Sequence, residues 1–114
     1  MGKKVFTGSS YGKNIRIDAT NSNNPTLIHR AVTGVTDYDE LWLYAINNSA
    51  SDVVLTLLWG GTEDRDKIQE TIDPSSGLFM VVPGFLIHNN LEVVAYADTT
   101  AVLNVSGYVN RLEN

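Results

Sequence analysis

Beyond residue 26, no interval between strand-forming runs is long enough to hold a crossover helix. Without such a crossover, consecutive strands of one sheet cannot run parallel, so any sheet formed here is expected to be antiparallel. The runs are short, rich in Val, Ile, Leu, Thr and aromatic residues, and separated by Gly, Asn, Asp, Ser and Pro, which is the texture of an all-β sandwich or barrel. Strands are expected at residues 27–33, 40–47, 53–59, 68–72, 77–82, 91–97 and 101–110, with "NIRID" alternating as an eighth would. "NNSASD" is expected to close a hairpin, "DPSSG" and "DTT" to make tight turns. In "PGFLIHNN", Pro83 should end a strand and Gly84 permit a bend, giving a longer link between sheets as in Greek-key topologies. The charged "TEDRDKIQE" has no apolar stripe at helical spacing and is expected to be loop leading into strand. The predicted fold is therefore an antiparallel β-sandwich of seven or eight strands, jelly-roll or immunoglobulin-like Greek key.

Two central strands lack a polar side. Trp42, Tyr44 and Ile46 alternate with Leu41, Leu43 and Ala45, and Val53, Leu55, Leu57 and Trp59 alternate with Val54, Thr56 and Leu58. The last run differs: Leu103, Val105 and Val109 alternate with Asn104, Ser106 and Asn110. A sandwich has one internal layer, so strands apolar on both faces need a second cover. Trp42, Tyr44, Val54 and Leu58 are accordingly the expected partner-binding or oligomer face. Covering roughly 400 Å² of apolar surface at about 25 cal/mol per Å² would contribute on the order of 10 kcal/mol before association entropy is subtracted.

A chain of 114 residues fits one domain able to close a core without staples. It has no cysteine, which removes disulfide, zinc-thiolate and thiol-nucleophile chemistry. Residues 1–26 carry four basic side chains and one acidic, the remainder four basic and twelve acidic. The division expected is a polar, extended N-terminal arm over 1–26 and a sandwich domain over 27–114, with Lys3, Lys4, Val5, Phe6, Lys13 and Arg16 as the arm's partner-binding residues. An acidic body repels a phosphate backbone, so nucleic acid is not expected as a partner. No window approaches a membrane span and no apolar run follows the N-terminal lysines, so neither membrane insertion nor export by the usual signal is expected.

Motifs for chemistry are sparse. His29 and His88 have no second ligand at metal spacing, and "TDYDE" and "TEDRD" do not follow the EF-hand pattern. "TGSSYGK" fails as a phosphate loop because three residues, not four, separate Gly8 from Gly12 and Asn14 replaces the hydroxyl residue. Neither "SSGL" nor "VSGY" makes a nucleophile elbow. No catalytic residue, metal site or cofactor is expected. The aromatic residues Trp42, Tyr44, Trp59, Tyr96 and Tyr108 suit either core packing or a sugar-stacking platform.

The tract "TLIHRAVTG", "DELWLYAINNSASDVVLTLLWGGT", "GLFMVVPGFLIHNNLEVVAYA" and "LNVSGYVNRL" resembles small virion proteins of tailed bacteriophages, of the head decoration or cement type. The resemblance spans about residues 26–112 and rests on strand pattern and the "WGG" turn. It implies a non-enzymatic β-sandwich that binds the outer capsid surface, with the major capsid protein as partner, often as a dimer or trimer, made in the host cytoplasm and carried on the virion. The alternative is a carbohydrate- or receptor-binding module of a tail fibre or capsid surface, or a tail or connector component.

Overall fold

The structure, a computed structural model, describes residues 2–114. Nine strands, β1 (Gly2–Lys4), β2 (Ile15–Ile17), β3 (Thr26–Arg30), β4 (Tyr38–Asn47), β5 (Val53–Trp59), β6 (Lys67–Ile72), β7 (Phe79–Ile87), β8 (Glu92–Ala97) and β9 (Leu103–Leu112), are joined by loops and one 3-10 turn at Asp64–Asp66. The first sheet has the order β1-β9-β4-β7, with β2 also paired to β9; the second has the order β3-β8-β5-β6. Every pairing is antiparallel.

β1 and β2 lie on the same strand, β9, one against Val109–Arg111 and the other against Leu103–Val105. Counted as one interrupted strand they leave eight positions, and the chain then changes sheet at every connection except β5 to β6. That is the double Greek key of a jelly roll. The loops "NNSASD", "DPSSG" and "DTT" are thus links between sheets, not hairpins within one. Local turn chemistry specifies a reversal, but not whether the returning strand hydrogen-bonds to its predecessor or packs across from it.

The longest pairing, β4 with β9, runs from Tyr38 opposite Leu112 to Asn47 opposite Leu103. Period-two alternation turns Leu41, Leu43 and Ala45 of β4, Val105 and Val109 of β9, and Val53, Leu55 and Leu57 of β5 into one core shared by both sheets. Polar residues close the ends of β4's inward row. Asn47 donates to the carbonyls of Ser51 and Ile72 and accepts from the Ser49 backbone N–H and hydroxyl. All four bonding positions of its amide are filled, which makes its burial tolerable.

The N-terminal segment is not a free arm, and the division at residue 26 does not describe the fold. Phe6, Ile15 and Ile17 belong to the core, and Phe6 is 2% exposed. The polar texture that suggested an arm comes from the loop between β1 and β2 and the residues after β2, while three apolar side chains at the right places suffice to anchor the rest.

β7 also departs from expectation. It continues through Pro83 and Gly84 to Ile87, carrying an extra residue at Val81 and at Gly84 relative to β4. It lies at the sheet edge, where a missing N–H and two bulges are tolerated because no further ladder is broken.

Candidate functional site

Three features hold the polar and aromatic side chains that the sequence singled out. The first is a buried cluster between β3, β4 and β9. Asp39, fully buried, begins the inward row of β4. Arg111 donates to it at two points, Nε to Oδ1 at 2.7 Å and NH2 to Oδ2 at 3.0 Å. The Val32 backbone N–H and the His29 ring complete its shell, at 3.0 and 2.8 Å from Oδ2. On the other side of the ring, His29 Nδ1 accepts the Thr7 backbone N–H at 3.1 Å. An acceptor at Nδ1 means that the proton sits on Nε2, pointing at Asp39, so the neutral tautomer is fixed by its neighbours.

Burial lowers the His29 pKa, and the Asp39 hydrogen bond and charge offset this only in part. Burial pushes the Asp39 carboxyl upward, but the hydrogen bonds from Arg111 and His29, with the Arg111 charge, outweigh it and hold it below the usual carboxylate range. Both nitrogens of His29 are therefore engaged, and the ring has no free lone pair for a metal or for taking a proton from a nucleophile. The arrangement is a bracket that ties Thr7, β3, β4 and the end of β9 together. β3 carries an extra residue at Ile28 relative to β8, so that Ile28 and His29, adjacent in sequence, are both enclosed.

The acidic cluster at 37–40 is thereby divided. Asp37 accepts the Asn114 backbone N–H, Asp39 enters the bracket, and Glu40 accepts from Trp42 Nε1 at 2.9 Å. Glu63 and Asp66 form a reciprocal capping box around the 3-10 turn. Among the described residues no group of three or more His, Asp or Glu could hold a metal ion.

The second feature is the outer face of the first sheet. Glu40, Trp42, Tyr44 and Ile46, the outward row of β4, are each half-buried. Register places Tyr108 and Ser106 of β9 beside Trp42 and Tyr44 on one side, and Pro83 and Met80 of β7 on the other. Trp42 and Tyr108 lie nearly parallel, 15° apart with ring centroids at 6.4 Å. Lys3 Nζ stands 5.4 Å from the Tyr108 centroid, close enough for a cation–π contact. The indole lies over Gly84, where a Cβ would come within 2.8 Å of Trp42 Cζ2. The question raised by two-sided strands thus has a partial answer: neighbouring strands cover the edges of Trp42, and its row stays only partly exposed.

The third feature is the outer face of the second sheet, on the opposite side of the molecule. Val54, Thr56 and Leu58 form the outward row of β5. Gln69 Nε2 donates to the Thr56 hydroxyl. Leu58, although outside the shared core, is 2% exposed between its cross-strand neighbours Val94 and Lys67. Its own sheet covers it, so it is removed from the partner face. Trp42 and Tyr44 do lie together, but Val54 does not join them.

Of the expected arm residues, Phe6 is withdrawn into the core and Arg16 pairs with Asp18 at 2.7 Å. Lys3, Lys4, Val5 and Lys13 are exposed. Trp59 meets Phe85 edge-on at 6.1 Å and packs against the core. His88 stacks on Tyr38 at 4.7 Å. Sequence reasoning missed the bracket because Asp39 and Arg111 are 72 residues apart. The available signal was a single charged residue, Asp39, in phase with the inward apolar row Leu41, Leu43 and Ala45. Comparisons with protein-family models, curated proteins and solved structures returned no match to this chain.

Proposed function

We propose that this chain is a non-enzymatic capsid decoration or cement protein, binding the outer surface of a shell built from a major capsid protein and bracing neighbouring subunits by protein–protein contact. The observation that carries the reading is the outer face of the first sheet: the core closes without Trp42 and Tyr44, yet both remain partly exposed beside the exposed Met80. Large aromatic residues held by a sheet, with little side-chain entropy left to lose, are the usual anchors of a protein interface. The bracket at His29 supports a binding role by spending the most chemically capable side chains on rigidity. The virion setting comes from the resemblance of "DELWLYAINNSASDVVLTLLWGGT" and its companion tracts to decoration proteins. The jelly roll suits that setting and suits many others.

The test is co-sedimentation of the purified chain with undecorated shells of its parent particle. Tyr44→Lys should raise the dissociation constant about tenfold, the effect of about 1.4 kcal/mol, with the thermal midpoint of the free chain unchanged. Equal occupancy would remove the face from the account. A second reading, a glycan-binding module, is favoured by the near-parallel rings of Trp42 and Tyr108. It requires binding on a carbohydrate array that Tyr108→Ala abolishes in a folded chain.

A further inference from the structure

We infer that the edge strand β7 is a self-association surface, at which a second copy of this chain docks. Two independent facts meet there. Residues 74–91 contain no Asp, Glu, Lys or Arg, in a chain of net charge −5. The same stretch holds most of the large apolar side chains left open to solvent: Leu78, Met80, Phe85 and Leu86 are between 47 and 63% exposed, and Leu91 is exposed as well.

The other sheet edges carry charge: Lys3 and Lys4 on β1, Arg16 on β2, Arg30 on β3, Lys67 and Glu70 on β6. Charged side chains on an edge prevent one sheet from joining another. β7 has none.

The absence of charge argues for a second copy over a foreign protein. In a two-fold contact each residue near the axis faces its own equivalent, so any charge there meets a like charge. Charge near the axis of a self-docking surface is therefore disfavoured, and β7 carries none. A foreign partner would instead be selected by complementary charge at the rim of its site, and residues 74–91 offer none to read.

The bulges define the contact further. The extra residues at Val81 and Gly84, and the missing N–H of Pro83, interrupt regular strand-to-strand bonding along the middle of β7. The copies consequently meet through side chains and not through an extended ladder. The four exposed residues offer on the order of 400 Å² of apolar surface per copy, about half of a standard interface side. Such a contact makes a reversible dimer that grows with concentration.

Sedimentation velocity of the full chain over about a hundredfold range of concentration tests this directly. The wild type should pass from monomer to dimer. Leu78→Glu with Met80→Glu should weaken the dimer at least about tenfold by facing like charges across the axis. Tyr11→Glu, at a fully exposed position in the loop between β1 and β2 at the opposite edge of the sheet, should not, and circular dichroism melts should show all three chains folded. A wild type that stays monomeric overturns the inference, as does a dimer that the paired substitution leaves intact or that Tyr11→Glu weakens equally. Loss of shell occupancy by the paired variant of a monomeric chain would assign the edge to the capsid and overturn it too. Self-association does not depend on the decoration reading, since its readout needs no particle.

Discussion

Arg111 holds Asp39 with two parallel N–H donors at 2.7 and 3.0 Å, joining the start of β4 to the end of β9 inside the molecule. Removing one member of a buried pair leaves the other as an uncompensated charge, which costs about 3–5 kcal/mol. Arg111→Met should lower stability by that amount in urea titration. Asp39→Asn added to it should restore part of the loss, because the stranded carboxylate is gone. A double-mutant cycle with no coupling would show that the pair acts merely as two surface groups.

The same cluster sets the pH dependence. His29 titrates below its ordinary value of about 6.5 in the folded chain. The unfolded chain therefore takes up its proton first, and stability falls as pH drops from about 6.5 through the lower folded value. Asp39 titrates below its ordinary value of about 3.8. Its contribution is full above that value and is lost as pH falls through the folded pKa. Denaturation midpoints measured between pH 8 and pH 2 should show both losses on acidification. In His29→Gln the upper one should flatten while the lower one persists.

Deleting residues 1–20 should unfold or severely destabilise the chain, because it removes Phe6, Ile15 and Ile17 from the core and Thr7 from the bracket. Phe6→Ala alone should cost about 3–5 kcal/mol, seen as a lower midpoint in thermal or urea melts. A truncated chain that melts like the full one would mean that the body is complete without β1 and β2.

Gly84 and Gly107 both abut Trp42, but in different ways. A side chain at Gly84, whose φ is +81°, would press on the indole ring, so Gly84→Ala should shift Trp42 and change its fluorescence at a cost of about 1–3 kcal/mol. At Gly107, whose φ is +138°, a Cβ would overlap the Trp42 carbonyl oxygen. Backbone cannot rotate away as a ring can. Gly107→Ala should consequently be the more damaging of the two, with loss of folded chain in expression and melting experiments.

How much was legible varies with how local the cause is. The alternation of Leu41, Leu43 and Ala45 with Trp42, Tyr44 and Ile46 announced a strand with two apolar rows. It could not say which of two apolar rows would be inward, since both qualify. In "TLIHR", strict alternation would enclose either Ile28 or His29; the bulge encloses both. Leu58 looked available because its row faces outward, and only cross-strand neighbours from β6 and β8 show that it is covered.

The amino-acid sequence alone determined the antiparallel all-β class, because short apolar runs bounded by turn residues pair as strands and leave no interval for a crossover helix. Tertiary structure decided the rest: that residues 2–26 complete the sandwich, that successive strands change sheets, and that His29, Asp39 and Arg111 meet. Those outcomes depend on partners distant along the chain, whose burial is favourable only once several elements close around them together.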